Sequence, residues 1–405
     1  MAYAYLDNSA TTMTDPEAVK AMLPYFTESY GNPSSLHSFG TEAREAVEKA
    51  RAQVARLVGA KPGEIVFTSG GTESDNLALR GAAGAGKPGA NRIVTSNVEH
   101  PAVLETCKSL EARGARTDYL RIDRDGFVSP VDAARIVSER TAIVSVMLAN
   151  NEIGTIQPVQ EVAVECRARA RNALVHTDAV QAAGKIPVDV ERLGVDLLSL
   201  ASHKFHGPKG VGALFVREGV RLSPAMTGGG HEKGLRSGTE NVPGIVGMGK
   251  AAEIARENLG EDAARMTRLR DRLIDGLLPV EETFLNGSRE KRLPNNANLR
   301  FLGIEGESLV LLLDGEGVAA STGSACSSKK LQASHVLLAL GIPEWQAHGS
   351  LRLTLSRFTT DEEVSRAVDA TKGAVSRLRA MSPVWKKIKA GEPVIGVKGG
   401  GHEHV

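Results

Sequence analysis

Four short stretches of the sequence contain side chains that could take part in one reaction. One holds a lone thiol, Cys326, whose neighbours in "AASTGSACSSKK" are small and weakly polar. A carboxylate and an amide, Asp178 and Gln181, lie in "ALVHTDAVQ", and Lys204 lies in "ASHKFHGPKG" between two apolar runs. The fourth stretch is the glycine turn of "FTSGGTESDN". Each has a common structural explanation when taken alone, so only their combination indicates a function.

The glycine turn is typical of an anion site. A strand is predicted to end at Phe67 and a helix to start near Thr72, with Gly70 and Gly71 between them. The free amides of a helix N-terminus bind phosphate or carboxylate groups, and glycines permit their close approach. A capped helix after a tight turn remains the alternative.

Asp178 is predicted to follow a buried strand at its C-terminal end, the edge where open α/β sheets bind ligands. A buried carboxylate needs a partner, and the protonated ring nitrogen of a cofactor would serve; a helix N-cap is the alternative. A lysine in an apolar cleft, as Lys204 could be, can form a Schiff base with a carbonyl, although a surface position in a turn is the commoner outcome. An anion site, a carboxylate and a lysine at successive strand ends together indicate pyridoxal phosphate.

The elements that position these residues follow from hydrophobic periodicity. Short apolar runs such as "RIVTSNV", "TAIVSVMLANN" and "DLLSLASH" alternate with segments of helical spacing such as "TEAREAVEKARAQVARLVG". This alternation predicts an α/β fold with a mostly parallel sheet. We expect a large cofactor-binding domain over residues 15–258, a smaller α+β domain formed by 1–14 with 259–385, and a flexible tail over 386–405.

Composition narrows the class of function. The 405 residues are 41% hydrophobic, which favours two domains over one core or disorder. Lys and Arg number 49 against 48 Asp and Glu, so no net charge favours nucleic acid or a membrane surface, and a small-molecule substrate is expected. No apolar run approaches a membrane span. The cysteines, Cys107, Cys166 and Cys326, form neither a disulfide framework nor a zinc site, so we expect reduced thiols, no metal and a cytoplasmic location.

The sequence resembles the cysteine desulfurases of the NifS/IscS type, in order and across almost the whole chain. The motifs that carry this resemblance are "LDNSATT", "GNPSSLHSFG", "TSGGTESDN", "VEHPAV", "NNEIGT", "HTDAVQAAGK", "SHKFHGPKGVGAL", "GGGHEKGLRSGTEN", "STGSACSS" and "LSRFTT". The resemblance implies a fold-type I pyridoxal-phosphate homodimer with a seven-stranded sheet in its large domain. It also implies conversion of L-cysteine to L-alanine and a protein-bound persulfide, which supplies sulfur for iron-sulfur clusters through a scaffold protein.

The resemblance assigns roles around the cofactor ring. Lys204 matches the lysine that holds the cofactor, and Asp178 matches the partner of its pyridine nitrogen. Gln181 matches the donor to the phenolic oxygen. His100 in "VEHPAV" matches the histidine stacked on the ring, a role that a lone histidine would not otherwise suggest.

The phosphate cradle implied by the resemblance is formed by Gly71, Thr72 and His203, with Thr239 from the other subunit. Many relatives carry a serine three residues before the lysine, where this chain has alanine at 201. Ser202 is one step nearer to the lysine, and strand alternation would direct it to the opposite side. Whether Ser202 replaces the missing ligand is left open.

The same resemblance assigns the substrate carboxylate to Arg357 in "LSRFTT", helped by Asn151. Arginine suits this role because its planar fork donates two charge-assisted hydrogen bonds to a carboxylate. Arg352 is the rival candidate.

Cys326 matches the nucleophile that accepts sulfur, and small neighbours would allow it to move between a cleft and an outside acceptor. Cys107 and Cys166 lie in helix-like segments and are expected to be structural. The role of His100, as base for the thiol or as acid toward the product, stays open. The competing functions are a selenocysteine lyase, a class V aminotransferase and an inactive scaffold of iron-sulfur assembly.

Overall fold

The computed structural model describes residues 3–86, 89–323 and 333–394. In these ranges the strands, in chain order, are β1 (Ala4–Tyr5), β2 (Ile65–Thr68), β3 (Arg92–Ser96), β4 (Arg116–Leu120), β5 (Thr141–Ser145), β6 (Leu174–Asp178), β7 (Leu197–Ala201), β8 (Gly212–Val216), β9 (Thr283–Leu285), β10 (Asn296–Phe301), β11 (Val318–Ala319) and β12 (Ser350–Thr354).

The helices, in chain order, are α1 (Pro16–Met22), α2 (Pro24–Thr27), α3 (Ser38–Leu57), α4 (Gly71–Ala85), α5 (Pro101–Glu111), α6 (Pro130–Ile136), α7 (Val159–Arg169), α8 (Val190–Leu193), α9 (Val242–Leu277), α10 (Gly306–Gly315), α11 (His335–Ala339), α12 (Glu344–Ala347), α13 (Asp361–Met381) and α14 (Pro383–Lys389). Short 3₁₀ turns lie at Pro62–Glu64, Ser202–Lys204 and Glu232–Gly234. Among these elements, none of the described helices has both the length and the apolar character needed to cross a membrane.

The large sheet has seven strands in the order β2-β8-β7-β6-β5-β3-β4. The strands from β7 to β4 run parallel, whereas β8 is antiparallel to both β7 and β2. Strands β5, β7 and β8 are buried along their whole length, as expected of a sheet covered by helices on both faces. The predicted α/β fold with a mostly parallel seven-stranded sheet is confirmed.

A smaller unit packs around the antiparallel strands β12-β10-β9 and the parallel pair β1-β11. Its core includes Leu299, Leu351, Leu353 and Val364, all essentially inaccessible to solvent. Residues 352 and 298 pair across β12 and β10, which places the polar face of this sheet toward the large unit.

Helix α9 connects the two cores. Its first half buries Ile245, Met248 and Ala252 in the core of the large sheet, and its second half buries Leu269 and Leu273 in the smaller core. The predicted domain boundary at residues 258–259 therefore falls inside one continuous helix, and the division into domains stays a prediction.

The N-terminal segment contacts both units. Strand β1 pairs with β11, and Leu6 is buried in the smaller core. The chain then turns to the large unit, where Thr12 N–H donates to His203 O at 3.0 Å and Asp15 N–H donates to His206 O at 2.8 Å. Residues 9–12 therefore lie between the two units.

The predicted flexible tail over 386–405 begins inside helix α14. This helix starts at a serine cap, Ser382, whose Oγ accepts from Trp385 N–H, and the Trp385 ring packs 3.9 Å from the Arg379 guanidinium. These contacts stabilise the first turn of α14, and the helix ends at Lys389. Residues 395–405 lie outside the described part of the chain.

Candidate active site

A cavity of about 290 Å³ lies at the carboxyl ends of β5, β6 and β7, between the large and small units. Eight of the residues assigned to the site from sequence line this cavity: Gly71, Thr72, His100, Asn151, Asp178, Gln181, His203 and Lys204. Arg357, Ser202 and Thr239 do not line it. The cavity is at the edge of the sheet where open α/β folds bind ligands.

Asp178 closes one end of the cavity as the last residue of β6. Its side chain is buried, and Oδ1 accepts a hydrogen bond from Val180 N–H at 2.8 Å. Burial raises the pKa of Asp178 to about 6, although the Val180 amide and the positive charge of Lys204 oppose this rise. A cationic N–H group at this end of the cavity would stabilise the carboxylate.

Gln181 lies one turn further along and is also buried. Its Nε2 donates to Ser9 O at 3.0 Å, while Oε1 has no hydrogen-bond partner in the described part of the chain. A buried amide oxygen without a partner costs free energy. Gln181 therefore retains hydrogen-bonding capacity beside the cavity.

Lys204 lies in the 3₁₀ turn that follows β7. Its Nζ donates to Ser9 O at 2.6 Å and to Ala10 O at 2.7 Å, so the amine reaches across the cavity to the N-terminal segment. The same turn brings His203 to the cavity, where its Nδ1 is 3.1 Å from Thr11 Oγ1. Burial, aided by the charge of Lys204, lowers the pKa of His203 to about 4, so this imidazole is neutral at pH 7.

The N-terminus of α4, which begins at Gly71, also lines the cavity. A Cβ at Gly71 would lie only 2.8 Å from Val180 Cγ2, so glycine is what allows the helix to approach this loop. The amides of the first turn have no intrahelical partners. With the Thr72 side chain and His203 beside them, they form a cradle suited to a phosphate group.

His100 caps helix α5 at the side of the cavity. Its Nδ1 accepts from Ala102 N–H at 3.1 Å, which places the imidazole proton on Nε2. Burial, reinforced by the charge of Lys204, lowers the pKa of His100 to about 4. At pH 7 it is a neutral ring that donates from Nε2.

Of the two candidate arginines, the structure places Arg352 in the cavity and Arg357 outside it. Arg352 donates to Asn151 O at 3.0 Å and pairs with Asp7 at 3.0 Å, and its Nε has no partner among the described residues. Arg357 instead pairs with Asp15 at 2.6 Å. The assignment of Arg357 to a substrate in this cavity does not agree with this geometry, because its guanidinium is held by that aspartate.

Ser202 also lies away from the cavity, which Ala201 lines in its place. The Ser202 side chain is fully buried against Gly207, and its Oγ has no hydrogen-bond partner in the described ranges. The alternation of β7 thus continues into the turn and directs the hydroxyl to the opposite side. The placement of Ser202 among the phosphate ligands does not agree with this orientation.

We expect the Ser202→Ala variant to lose less than about threefold in affinity for pyridoxal phosphate, because the hydroxyl removed is buried elsewhere and unpaired. Thr72→Ala is the matched comparison and should weaken binding more. Equilibrium titration of both variants with the cofactor measures the effect. A loss of tenfold or more in Ser202→Ala would show that the hydroxyl reaches the phosphate.

Thr239 lies in an exposed segment after the 3₁₀ turn at Glu232–Gly234. It does not line the cavity of its own chain. Its predicted contact with the phosphate of another subunit stays a prediction.

Cys326 falls within residues 324–332, outside the described part of the chain. The described residues on either side lie at the cavity: Gly323 and His335 both line it. Gly323 O accepts from Arg352 at 3.3 Å, and His335 Nε2 donates to Glu99 O at 3.0 Å. Both ends of the segment that contains the thiol are thus fixed beside the cavity.

Several cavity residues were not predicted from sequence. Asp75 lies on the same face of α4 as Gly71, one turn later, and helical spacing could have indicated it. Ser9 and Ala10 belong to the quoted "LDNSATT" stretch but had no assigned role. Glu152 follows Asn151, and its carboxylate accepts from the Ser334 hydroxyl.

The cavity suits pyridoxal phosphate from end to end. A buried carboxylate, a lysine amine and a glycine-permitted helix N-terminus all line it. The orphaned Gln181 Oε1 and the neutral His100 add polar contacts along the side.

Residues 4–367 match the aminotransferase class-V family, so the chain belongs to that family. Among its relatives are cysteine desulfurases. Cysteine desulfurase IscS 1 of Archaeoglobus fulgidus is 51% identical over 383 residues, which cover 95% of this chain and 100% of that protein. Cysteine desulfurase IscS of Methanosarcina thermophila is 50% identical over 383 residues, covering 95% of this chain and 94% of that protein.

The fold agrees with these relationships. A solved structure described as a NifS-like protein superposes with a TM-score of 0.88 at 42% sequence identity, covering 93% of this chain and 100% of that one. The predicted resemblance to cysteine desulfurases of the NifS/IscS type is thereby confirmed.

Proposed function

We propose that the protein is a pyridoxal-phosphate-dependent cysteine desulfurase, which converts L-cysteine to L-alanine and retains the sulfur as a persulfide on Cys326. The observation that carries the proposal is the cavity in which Asp178, Lys204 and Arg352 meet. These residues offer a counter-ion for a ring nitrogen, an amine for a carbonyl and a partner for an amino-acid carboxylate. Similarity to named cysteine desulfurases over nearly the whole chain gives the substrate.

In this proposal Lys204 holds the cofactor, Asp178 pairs with the pyridine nitrogen, and the N-terminus of α4 with Thr72 and His203 holds the phosphate. Gln181 and His100, which line the same cavity, would contact the ring. When bound, pyridoxal phosphate supplies an electron-accepting ring that stabilises negative charge at the substrate carbon next to the amine. The buried Asp178 would keep that ring protonated, since a cationic partner adds to the stabilisation that its carboxylate receives from the Val180 amide.

Lys204 is also the base in the proposed mechanism. Its Nζ reaches Ser9 and Ala10 across the cavity, so the amine can move a proton on one face of a bound amino acid. Proton transfer by a positioned side chain contributes on the order of 10²- to 10⁴-fold to a rate.

His100 acts as a hydrogen-bond donor in this scheme. Because Nδ1 accepts the Ala102 amide, the available ring position is Nε2–H. The neutral ring cannot take the thiol proton at Nε2 unless it first gives up its own. This tautomer favours a hydrogen bond from Nε2 to the bound substrate over deprotonation of Cys326, because full loss of the Nε2 proton would leave an imidazolate.

Arg352 and Asn151 hold the substrate carboxylate in the proposal, in place of the Arg357 assignment. The Nε–H of Arg352 is buried without a partner in the described part of the chain, and such a donor favours an anionic acceptor. The pair with Asp7 orients the guanidinium. Asn151 lies next to it, with its backbone oxygen bonded to Arg352.

The proposed sulfur transfer balances without an external oxidant. The Cys326 thiolate attacks the sulfur of bound cysteine, and a sulfur-sulfur bond forms as the carbon-sulfur bond breaks. The electron pair of the broken bond goes to the carbon fragment, which is protonated and leaves as alanine. A thiol acceptor, for which we propose an iron-sulfur scaffold protein, then removes the outer sulfur.

A homodimer is part of the proposal. Several large apolar side chains are exposed within the segment from α1 to α3, among them Leu23, Phe26, Tyr30 and Leu36, the last 97% exposed. We propose that they belong to an interaction surface. A second copy covering this region would agree with the predicted contact of Thr239 with the phosphate of another subunit.

We also propose a cytoplasmic location, where the buried thiols of Cys107 and Cys166 would stay reduced.

Alanine released from L-cysteine by the purified, cofactor-loaded protein with a thiol reductant tests the proposal. Stoichiometric alanine and sulfide are expected. A faster rate with L-selenocysteine would instead favour a selenocysteine lyase, and amino transfer to a keto acid would favour an aminotransferase. If none of these reactions occurs, an inactive scaffold of iron-sulfur assembly becomes the favoured function.

We expect Cys326→Ala to lower sustained alanine release by about 100-fold or more, because the substrate sulfur then has no nucleophile. The same assay with reductant measures this loss. Cys107→Ala is the matched control, since burial raises the pKa of that thiol to about 12 and keeps it unreactive. Equal rates in Cys326→Ala and the unmodified protein would remove this cysteine from the mechanism.

A further inference from the structure

Asp75 belongs to the floor of the cavity but has no part in the mechanism above. It lies one turn into α4, only 1% of its surface is exposed, and it lines the cavity near Asp178. Its Oδ1 has no hydrogen-bond partner in the described part of the chain. An ionised carboxylate in this position would be costly without a cation.

The nearest candidate for that cation is His176 on β6, whose Nε2 lies 3.6 Å from Asp75 Oδ1. This distance is too long for a hydrogen bond. The imidazole is bonded instead to two hydroxyls, with Nδ1 2.8 Å from Ser145 Oγ and Nε2 3.0 Å from Ser199 Oγ. Burial lowers the pKa of His176 to about 3, so at pH 7 it brings no charge.

The other titratable groups that face Asp75 are carboxyl groups, Asp178 at the end of β6 and Glu99 before α5. Burial raises the pKa of Asp75 well above its ordinary value, and the negative charge of Asp178 raises it further, as does that of Glu99 when Glu99 is ionised. A hydrogen bond with Ser199 opposes this rise. Glu99 is itself buried, and burial raises its pKa to about 8.

Asp178 is better placed than Asp75 to hold the negative charge. Its Oδ1 accepts the Val180 amide at 2.8 Å, and the charge of Lys204 favours its ionised form. Asp75 and Asp178 line the same cavity and interact electrostatically, and two such buried carboxyl groups do not both ionise readily. The proton is therefore expected on the group with fewer stabilising contacts.

We propose that Asp75 is an uncharged carboxylic acid and acts as a positioning residue, which leaves Asp178 as the ionised carboxylate at this end of the cavity. A single negative charge then faces a protonated ring nitrogen. The pairing of Asp178 with a ring nitrogen rests on the proposed function, whereas the protonation of Asp75 does not.

Infrared difference spectroscopy of the full-length protein as purified tests the proton directly. At neutral pH, the unmodified protein minus Asp75→Asn should show the carbonyl stretch of a protonated carboxylic acid, shifted in heavy water. Carboxylate bands in place of this stretch would overturn the proposal. The result does not depend on whether the protein desulfurates cysteine, so it is separable from the proposed function.

The pH dependence of unfolding gives a second test. A carboxyl group whose pKa is raised by folding stabilises the native state at low pH, and that contribution is lost as pH rises from about 4 toward the raised value. The denaturation midpoint of Asp75→Asn should therefore rise relative to the unmodified protein as pH increases. A difference that stays constant or shrinks would contradict an uncharged Asp75.

Cofactor affinity separates the two carboxyl groups. Asp178→Asn should weaken pyridoxal phosphate binding at least about tenfold more than Asp75→Asn does, because only the first removes a charge. Equal losses in the two variants would identify Asp75 as a second counter-ion and overturn the proposal.

Discussion

In the Lys204→Ala variant, alanine formation from L-cysteine is expected to fall on the order of 10⁴-fold. The substitution removes the amine that lies in the middle of the cavity, where it donates to Ser9 O and Ala10 O. The variant would lose both the covalent hold on the cofactor and the base. The protein should also lose the visible absorbance of bound pyridoxal phosphate after dialysis, while the rate is measured as alanine released.

Two further variants separate the chemistry of Lys204 from its charge. Lys204→Arg keeps a cation beside His203 and Asp178 but offers no amine that can condense with an aldehyde, so it should be nearly as inactive as alanine. Lys209→Ala removes an exposed lysine five residues along the same loop and should keep the activity of the unmodified protein. An active Lys204→Arg would show that charge alone suffices and would refute the covalent role.

The sequence was sufficient to predict the positions of the site residues that end or follow parallel strands. Asp178 ends β6 and Lys204 follows β7, and neighbouring parallel strands bring their carboxyl ends to one edge. The glycine turn before α4 was predicted for a related reason, since a helix N-terminus binds anions wherever a close approach is allowed. These positions depend on local patterns and one topological rule.

The two arginines could not be separated by such rules. In β12 the flanking Leu351 and Leu353 are buried in the smaller core, so alternation directs Arg352 to the opposite face. Which arginine reaches the cavity depends on the N-terminal segment, where Asp7 pairs with Arg352 and Asp15 with Arg357. Those contacts join residues more than 300 positions apart in the chain, beyond the reach of local spacing.

Other differences have local causes that a closer reading of periodicity could have found. The alternation that directs Ser202 away from the cavity was anticipated from Ala201, although Ser202 was retained as a candidate ligand. The anion-site pattern of the glycine turn concerns only the first helical residues, so it does not indicate Asp75. The boundary between the two units cannot be located from the pattern of helix α9, because its apolar positions continue from one core to the other without a break.

Arg352→Gln is expected to lower kcat/KM for L-cysteine by about 100- to 1,000-fold, equivalent to about 3–4 kcal/mol. The Arg352 side chain is almost fully buried and lines the cavity, and its Nε–H has no partner among the described residues, so an amino-acid carboxylate would make a charge-assisted contact there. Steady-state kinetics measure the loss. Arg357→Gln is the matched control, because its guanidinium lies against Asp15 outside the cavity.

A second substrate distinguishes lost recognition from damage to the fold. Cysteamine has the amine and the thiol of cysteine but no carboxylate, so the unmodified protein should strongly prefer cysteine. If Arg352 binds the carboxylate, Arg352→Gln should lose most of this preference, since it weakens the reaction of cysteine and leaves that of cysteamine almost unaltered. Equal losses on both substrates would instead indicate that breaking the pair with Asp7 disturbs the cavity. If Arg357→Gln loses the preference for cysteine and Arg352→Gln keeps it, Arg357 binds the substrate carboxylate. Asp15 would then have to release Arg357 when substrate binds.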